Sequence, residues 1–120
     1  MAPDKASESS DCLFCKISRG EIPSKRVHED DVCFAFEDIA PRAPTHLLVC
    51  PRQHIDSLAS LGEKHEAMMG HVMRVAAQLA RERGLDSFRT VMNTGAGAGQ
   101  TVFHLHVHVL GGRPMNWPPG

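Results

Sequence analysis

Three histidines recur at alternate positions near the C-terminal end, His104, His106 and His108, within Gln100-Thr-Val-Phe-His-Leu-His-Val-His-Val-Leu110. In an extended chain successive side chains point to opposite faces, so the three imidazoles share one face, about 6.6 Å apart at ~3.3 Å rise per residue. Phe103, Leu105, Val107 and Val109 fall on the other face, toward a core. An imidazole titrates near pH ~6.5 and can donate, accept or attack, so such a row suits nucleophilic and acid–base chemistry at neutral pH. Two other readings stand beside it: a solvated polar face, and a strand whose alternate histidines converge on zinc. The preceding residues favour catalysis. Gly95-Ala-Gly-Ala-Gly99 leads into the row, and glycine-rich turns let backbone N–H groups approach and cradle an anion. Gln100 and Thr101 add side-chain donors. The loop fits neither the P-loop nor the dinucleotide pattern, but directly before the histidines it reads as a phosphate pocket beside a nucleophile.

The elements that must carry these residues follow from the pattern. Thr101–Leu110 reads as the last strand, and Phe88–Asn93 as the strand before it. Arg26–His28, Val32–Phe36 and Thr45–Cys50 read as three more, the last stopped by Pro51. Pro41 and Pro44 forbid a helix in the Asp38–Pro44 loop. Phe14–Ile17 predicts one short helical turn, broken by Ile22-Pro23. Ser60-x-x-Glu63 is a capping-box pattern opening the only long helical stretch, with Met68, Val72, Val75 and Leu79 as its apolar stripe and Gly84 as its stop. His65 and His71 on that helix are assigned no catalytic role. One long helix, a short N-terminal one and about five strands joined by short links indicate an α+β fold with an antiparallel sheet.

With 120 residues the chain is one domain's worth, read here as a disordered tail over 1–10 and a folded domain over 11–120. At 42% hydrophobic and 22% charged it is neither disordered, collagenous, coiled-coil nor disulfide-built. Thirteen Lys and Arg against fourteen Asp and Glu leave a net charge of −1, which excludes a strong basic field for nucleic acid. No apolar run suggests a membrane span or secretory leader, so a soluble cytoplasmic protein is expected, with the nucleus also open. In that reducing setting Cys33 and Cys50, within apolar runs, read as core. Cys12-x-x-Cys15 stays open between zinc, redox chemistry and packing, although no thioredoxin-like βαβ pattern surrounds it.

His104-Leu-His-Val-His-Val-Leu110 resembles the His-φ-His-φ-His-φ-φ motif (φ apolar) of the histidine triad superfamily of nucleotide hydrolases and transferases. Further matches are Cys12-Leu-Phe-Cys-Lys-Ile17, Gly20-Glu-Ile-Pro23, Glu29-Asp-Asp31, Ala35-Phe-Glu-Asp-Ile39, Ala43-Pro-Thr-His46 and Pro51-Arg-Gln-His54, so the resemblance covers about residues 12–120. The ending Gly111-Gly-Arg-Pro-Met-Asn-Trp-Pro-Pro-Gly120 resembles the Hint branch, the histidine triad nucleotide-binding proteins. The resemblance implies a homodimer that binds purine nucleotides (AMP, GMP) and hydrolyses AMP–amine phosphoramidates and acyl-adenylates. It implies His106 as the nucleophile, His108 on the phosphate, and His46 with His104 behind it as the proton path. Thr101, Asn93, Gly99 and Gln100 would wall the phosphate, Asp38 would accept the ribose hydroxyls, and Phe14, Ile17 and Ile39 would sandwich the base. Trp117 would lie in a tail approaching the partner's site. Some members of the family hold a structural zinc with residues matching Cys12, Cys15, His54 and His104; others lack the cysteines, so no cofactor is needed for the chemistry.

Three rival functions are a dinucleoside polyphosphate hydrolase, which the tail disfavours, a regulatory nucleotide-binding module acting through protein partners, and a zinc-only structural domain. An intact His106 disfavours the second, because binding alone needs no nucleophile.

Overall fold

The computed structural model describes residues 11–120; the tail expected over 1–10 lies outside them. The elements are helix α1 (Leu13–Ser18), strands β1 (Arg26–Glu29), β2 (Cys33–Glu37) and β3 (Thr45–Pro51), helix α2 (Glu66–Glu82), and strands β4 (Phe88–Val91) and β5 (Val107–Gly111). The five strands form one antiparallel sheet in the order β1-β2-β3-β5-β4. The α+β expectation holds.

Strand alternation divides the core into two layers. Ala35, Leu47, Val49, Val107 and Val109 point to one face and meet the stripe Val72, Val75, Ala76 and Leu79 of α2. Phe34, Phe36, Leu48 and Cys50 point to the other and are covered by Phe14 and Ile17 of α1. His46 and His108 belong to this second face, because they alternate with Leu47 and with Val107 and Val109. The side of the sheet that carries His46 and His108 is thus the side covered by the six residues of α1. Cys33 and Cys50 are fully buried, as their apolar settings require.

The long helix starts differently from the capping-box expectation. Ser60 ends a 3-10 turn, Leu58–Ser60, whose cap is Ser57. A second turn, Glu63–His65, leads into α2, and His65 Nδ1 accepts from the Gly62 N–H at 2.9 Å. Met69, not Met68, packs onto the core. At the far end Leu85 N–H donates to Ala80 O at 3.0 Å and Gly84 N–H to Arg81 O at 2.9 Å, around Gly84 at φ +70°; this is a Schellman stop, for which glycine supplies the left-handed residue. His71 donates to Asp30 Oδ2 at 2.8 Å, and His28 donates to the same oxygen at 2.7 Å. That carboxylate also accepts the Val32 and Cys33 amides, so His71 ties α2 to the β1–β2 turn.

The last strand is shorter than the Thr101–Leu110 expectation. Pairing with β3 begins only at Val107, opposite Val49, and residues 101–106 run irregularly. Their partners are isolated carbonyls: Leu105 N–H donates to Ile55 O at 2.7 Å, and His104 Nε2–H to Pro51 O at 2.8 Å. Leu105, Val107 and Val109 keep the expected buried face, but Phe103 turns outward and is 48% exposed. β4 likewise ends at Val91 rather than Asn93.

Candidate active site

The hydrogen bonds around the histidines fix which nitrogen of each carries the proton. The Asp38–Pro44 loop closes through Asp38 N–H to His46 O at 2.9 Å, and the Arg42 N–H donates to His46 Nδ1 at 3.0 Å. His46 therefore carries its proton on Nε2, which faces His108 Nδ1 at 2.9 Å. His108 in turn carries its proton on Nε2. His46 and His108 are diagonal neighbours on β3 and β5, since His46 pairs with Leu110 and His108 with Leu48.

His106 has the opposite arrangement. Its Nδ1–H donates to the His104 carbonyl at 2.7 Å, which leaves Nε2 with a bare lone pair. Its ring centroid lies 5.0 Å from that of His108, and the ring packs edge-on against Phe14 at 5.0 Å. Burial pushes the His106, His46 and His108 pKa values below that of free imidazole; repulsion from His106 and His46 helps bring His108 to about 4. All three rings are thus neutral near pH 7. One neutral imidazole with a free nitrogen stands beside a neutral donor pair, an arrangement competent for nucleophilic attack on an electrophile bearing a developing negative charge.

His104 is placed apart from this pair. Its Nδ1 lies 3.3 Å from Cys12 Sγ and 3.5 Å from Cys15 Sγ, and His54 Nδ1 lies 3.5 Å from Cys15 Sγ. It stands behind the cysteines and not behind His46, so the expected proton path through His104 is not formed. The four donors lie within 4.8 Å of one another. Both imidazoles present a bare Nδ1 because their Nε2–H groups are taken, His104 by Pro51 O and His54 by Asp56 Oδ1 at 3.1 Å. The sulfur–nitrogen separations match the edge of about 3.6 Å of a tetrahedron with Zn–S ~2.3 Å and Zn–N ~2.0–2.1 Å. Two thiols and two oriented imidazoles fit a tetrahedral metal, with the outer partners that such ligands need.

A cleft of about 410 Å³ opens beside the histidine face, lined by Leu13, Ile17, Ile22, Phe36, Asp38 and Ile39 among others. Ile39 is 96% exposed on its rim, an unfavourable place for an isoleucine unless something apolar covers it. Asp38 accepts from Ala40 N–H at 2.8 Å and holds its other oxygen 3.4 Å from His46 Nε2, so it both shapes the loop and faces the site. Phe14 does not line this cleft; it lies beneath, edge-on to Phe36 and His106. Leu13, Ile22 and Phe36 were not singled out by sequence.

The glycine loop forms a 3-10 turn, Ala96–Ala98, between Gly95 and Gly99, both at positive φ. Gly99 lies against the Asn93 side chain, so these two expected wall residues adjoin. Gln100 does not present donors to a ligand: its Oε1 accepts from Gly95 N–H, and its Nε2 donates to Asp56 O and Val102 O. It is a buried knot holding the loop. Thr101 lines a separate cleft of about 400 Å³ with Cys12, His54 and Phe103. Trp117 stands 82% exposed in a tail tethered to the active-site loop by Arg113 Nε–H to Arg42 O at 2.9 Å.

An α+β sheet with a face of neutral imidazoles beside an apolar cleft defines the class of protein. Residues 19–115 match the HIT domain, and this chain belongs to the HIT, or histidine triad, family. It is 46% identical over 116 residues to a 14 kDa zinc-binding protein of Zea mays, covering 94% of this chain and 91% of that one. A HIT family hydrolase from Legionella pneumophila superposes with a TM-score of 0.90 at 46% identity, over 92% of this chain and all of the other. A histidine triad nucleotide-binding protein from Candida albicans superposes with a TM-score of 0.77 at 30% identity, over 89% and 82%. Among the described residues no helix is long and apolar enough to cross a membrane.

Proposed function

We propose that this chain is a purine nucleoside phosphoramidase that cleaves AMP–amine and acyl-adenylate bonds through a covalent nucleotidyl-His106. The observation that carries the reading is the His106 tautomer: Nδ1–H is held by the His104 carbonyl, and Nε2 is left free beside His108. In the first step Nε2 attacks the α-phosphorus, the P–N bond breaks, and the amine leaves with one proton taken from solvent. Charge building on the phosphoryl oxygens is met by the His108 Nε2–H. In the second step water attacks phosphorus, the P–Nε2 bond breaks, His106 regains its free Nε2, and one proton returns to solvent. Dividing one displacement into two lowers the barrier of each.

The purine occupies the apolar cleft of Ile17, Phe36 and Ile39, and the ribose hydroxyls reach Asp38. A hydrolase and a nucleotide-binding protein among the structural relatives support this assignment. Cys12, Cys15, His54 and His104 would hold a structural zinc, an ion that crosslinks α1 to the segment before β5 and takes no part in the phosphorus chemistry. The maize relative supports zinc there. A homodimer would bring the exposed Trp117 tail to the partner's site.

The test is a quenched-flow reaction with an AMP–amine substrate, followed by intact-mass analysis. An adduct of one AMP per chain, absent in His106→Ala, supports the reading. Turnover of diadenosine polyphosphate in preference to the AMP–amine would favour the rival hydrolase, and tight AMP binding without turnover would favour a binding module.

A further inference from the structure

The residue that bears the free nucleophile lies just outside the sheet ladder. Regular pairing begins at Val107, so His106 is not fixed by strand hydrogen bonds on its N-terminal side. What fixes it is His104, whose carbonyl takes the His106 Nδ1–H at 2.7 Å. His104 is held through its side chain and its neighbour: Nε2–H on Pro51 O, Nδ1 against Cys12 and Cys15, and Leu105 N–H on Ile55 O. A second connection runs through α1. Phe14, between the two cysteines, packs edge-on against His106 and tilted against His104, with centroids 5.0 and 5.9 Å away. The Cys/His cluster therefore touches both supports of the nucleophile, its carbonyl partner and the ring against which it rests.

We propose that Cys12, Cys15 and His54 are positioning residues for His106: closing the four-donor cluster on a metal locks the His104 carbonyl and Phe14, and so holds the His106 lone pair on the reaction line. The proposal rests on the phosphoramidase reading for its kinetic consequence, but not for its structural one. A misplacement of a nucleophile by about 1 Å can cost on the order of 100-fold in rate, whereas of the cleft lining only Leu13 and Ile17 lie on α1, and Ile22, Phe36, Ile39 and the ribose acceptor Asp38 lie outside the cluster. Loss of the metal thus falls on kcat more than on nucleotide binding. By linkage, any factor by which the metal tightens AMP binding is the factor by which AMP tightens the metal.

The test compares the zinc-loaded full chain, the chelator-treated chain, and Cys12→Ser/Cys15→Ser, in which serine keeps the cap of α1. In chains with ¹⁵N-labelled histidine, the His106 Nδ1–H resonance and its exchange with solvent are followed as Zn(II) is added. Expected are one zinc per chain, a slowing of that exchange on loading, no response in the double variant, and kcat lower by about 10–100-fold without metal while AMP affinity changes much less. If the double variant fails to fold, His54→Gln, at a partly exposed ligand, carries the same comparison. Failure to bind zinc, or stoichiometric zinc with unchanged His106 exchange and unchanged kcat, overturns the proposal. A zinc-dependent His106 response in a chain that turns over no phosphoramidate supports the coupling and overturns the enzymatic reading instead.

Discussion

His46 and His108 stand on adjacent strands with Nε2 of the first 2.9 Å from Nδ1 of the second. Because the Arg42 amide occupies the other nitrogen of His46, this contact has one direction, from His46 to His108. A backbone N–H in the Asp38–Pro44 loop thereby determines which nitrogen of His108 faces the substrate. Removing His46 frees His108 to adopt the wrong tautomer, which turns a bare nitrogen instead of an N–H toward the phosphoryl oxygens. His46→Ala is expected to lower kcat by about 100-fold, within the range of a positioned acid–base group, with KM changed far less. Steady-state kinetics on an AMP–amine substrate check this.

Burial depresses the pKa of His46 and His108, the latter to about 4. Activity needs the neutral rings, and a depressed pKa means that they stay neutral to lower pH than free imidazole. The rate should therefore be level from pH 8 through ~6.5 and fall below that as His46, His106 and, near 4, His108 take up protons. Stability has the same sign. The unfolded chain takes up protons near ~6.5 while the folded chain resists, so stability is full above ~6.5 and is lost as pH falls toward 4. Profiles of kcat/KM and of denaturant midpoint from pH 8 down through about 4 test both, and an acid limb centred at ~6.5 would contradict them.

Gln100 spends its amide on Gly95 N–H, Asp56 O and Val102 O. Gln100→Ala leaves these partly buried backbone groups without their side-chain partner and loosens the run that carries His104. A loss of about 1–3 kcal/mol is expected, read from urea denaturation, and it is a stability effect rather than the loss of a phosphate donor.

Gly112 sits at φ +93°, and a Cβ there would come within 2.9 Å of Pro44 Cβ. Gly112→Ala strains the backbone and pushes the tail off the active-site loop, at a cost of about 1–3 kcal/mol. A lowered thermal midpoint, with kcat also reduced because Arg42 shifts, is the expected result; Gly70→Ala, exposed on α2 with open space around it, serves as the control that lowers neither.

Much of the site was legible because its residues alternate. Val107 and Val109 face the helix side and His108 faces the other, as period-two reading requires. The two prolines of the Asp38–Pro44 loop correctly excluded a helix there. What was hidden depends on partners distant in sequence. The break in regular strand before Val107 is made by carbonyls of Pro51 and Ile55, which no local periodicity reports. The separation of His104 from His46 follows from the same contacts. Gly62 and His65 displaced the Ser60/Glu63 cap because two 3-10 turns precede the helix. Phe36 and Ile22 line the cleft, but in sequence they cannot be told from core.

The central claim is that His106 is the nucleophile, and steady-state hydrolysis of a fluorogenic AMP–amine phosphoramidate by wild type and His106→Ala, with AMP binding measured alongside, tests it most directly. Turnover by wild type, a loss of several orders of magnitude in His106→Ala, and near-equal AMP affinity in both are expected. Comparable turnover in the two proteins, or tight AMP binding with no turnover in either, would contradict it.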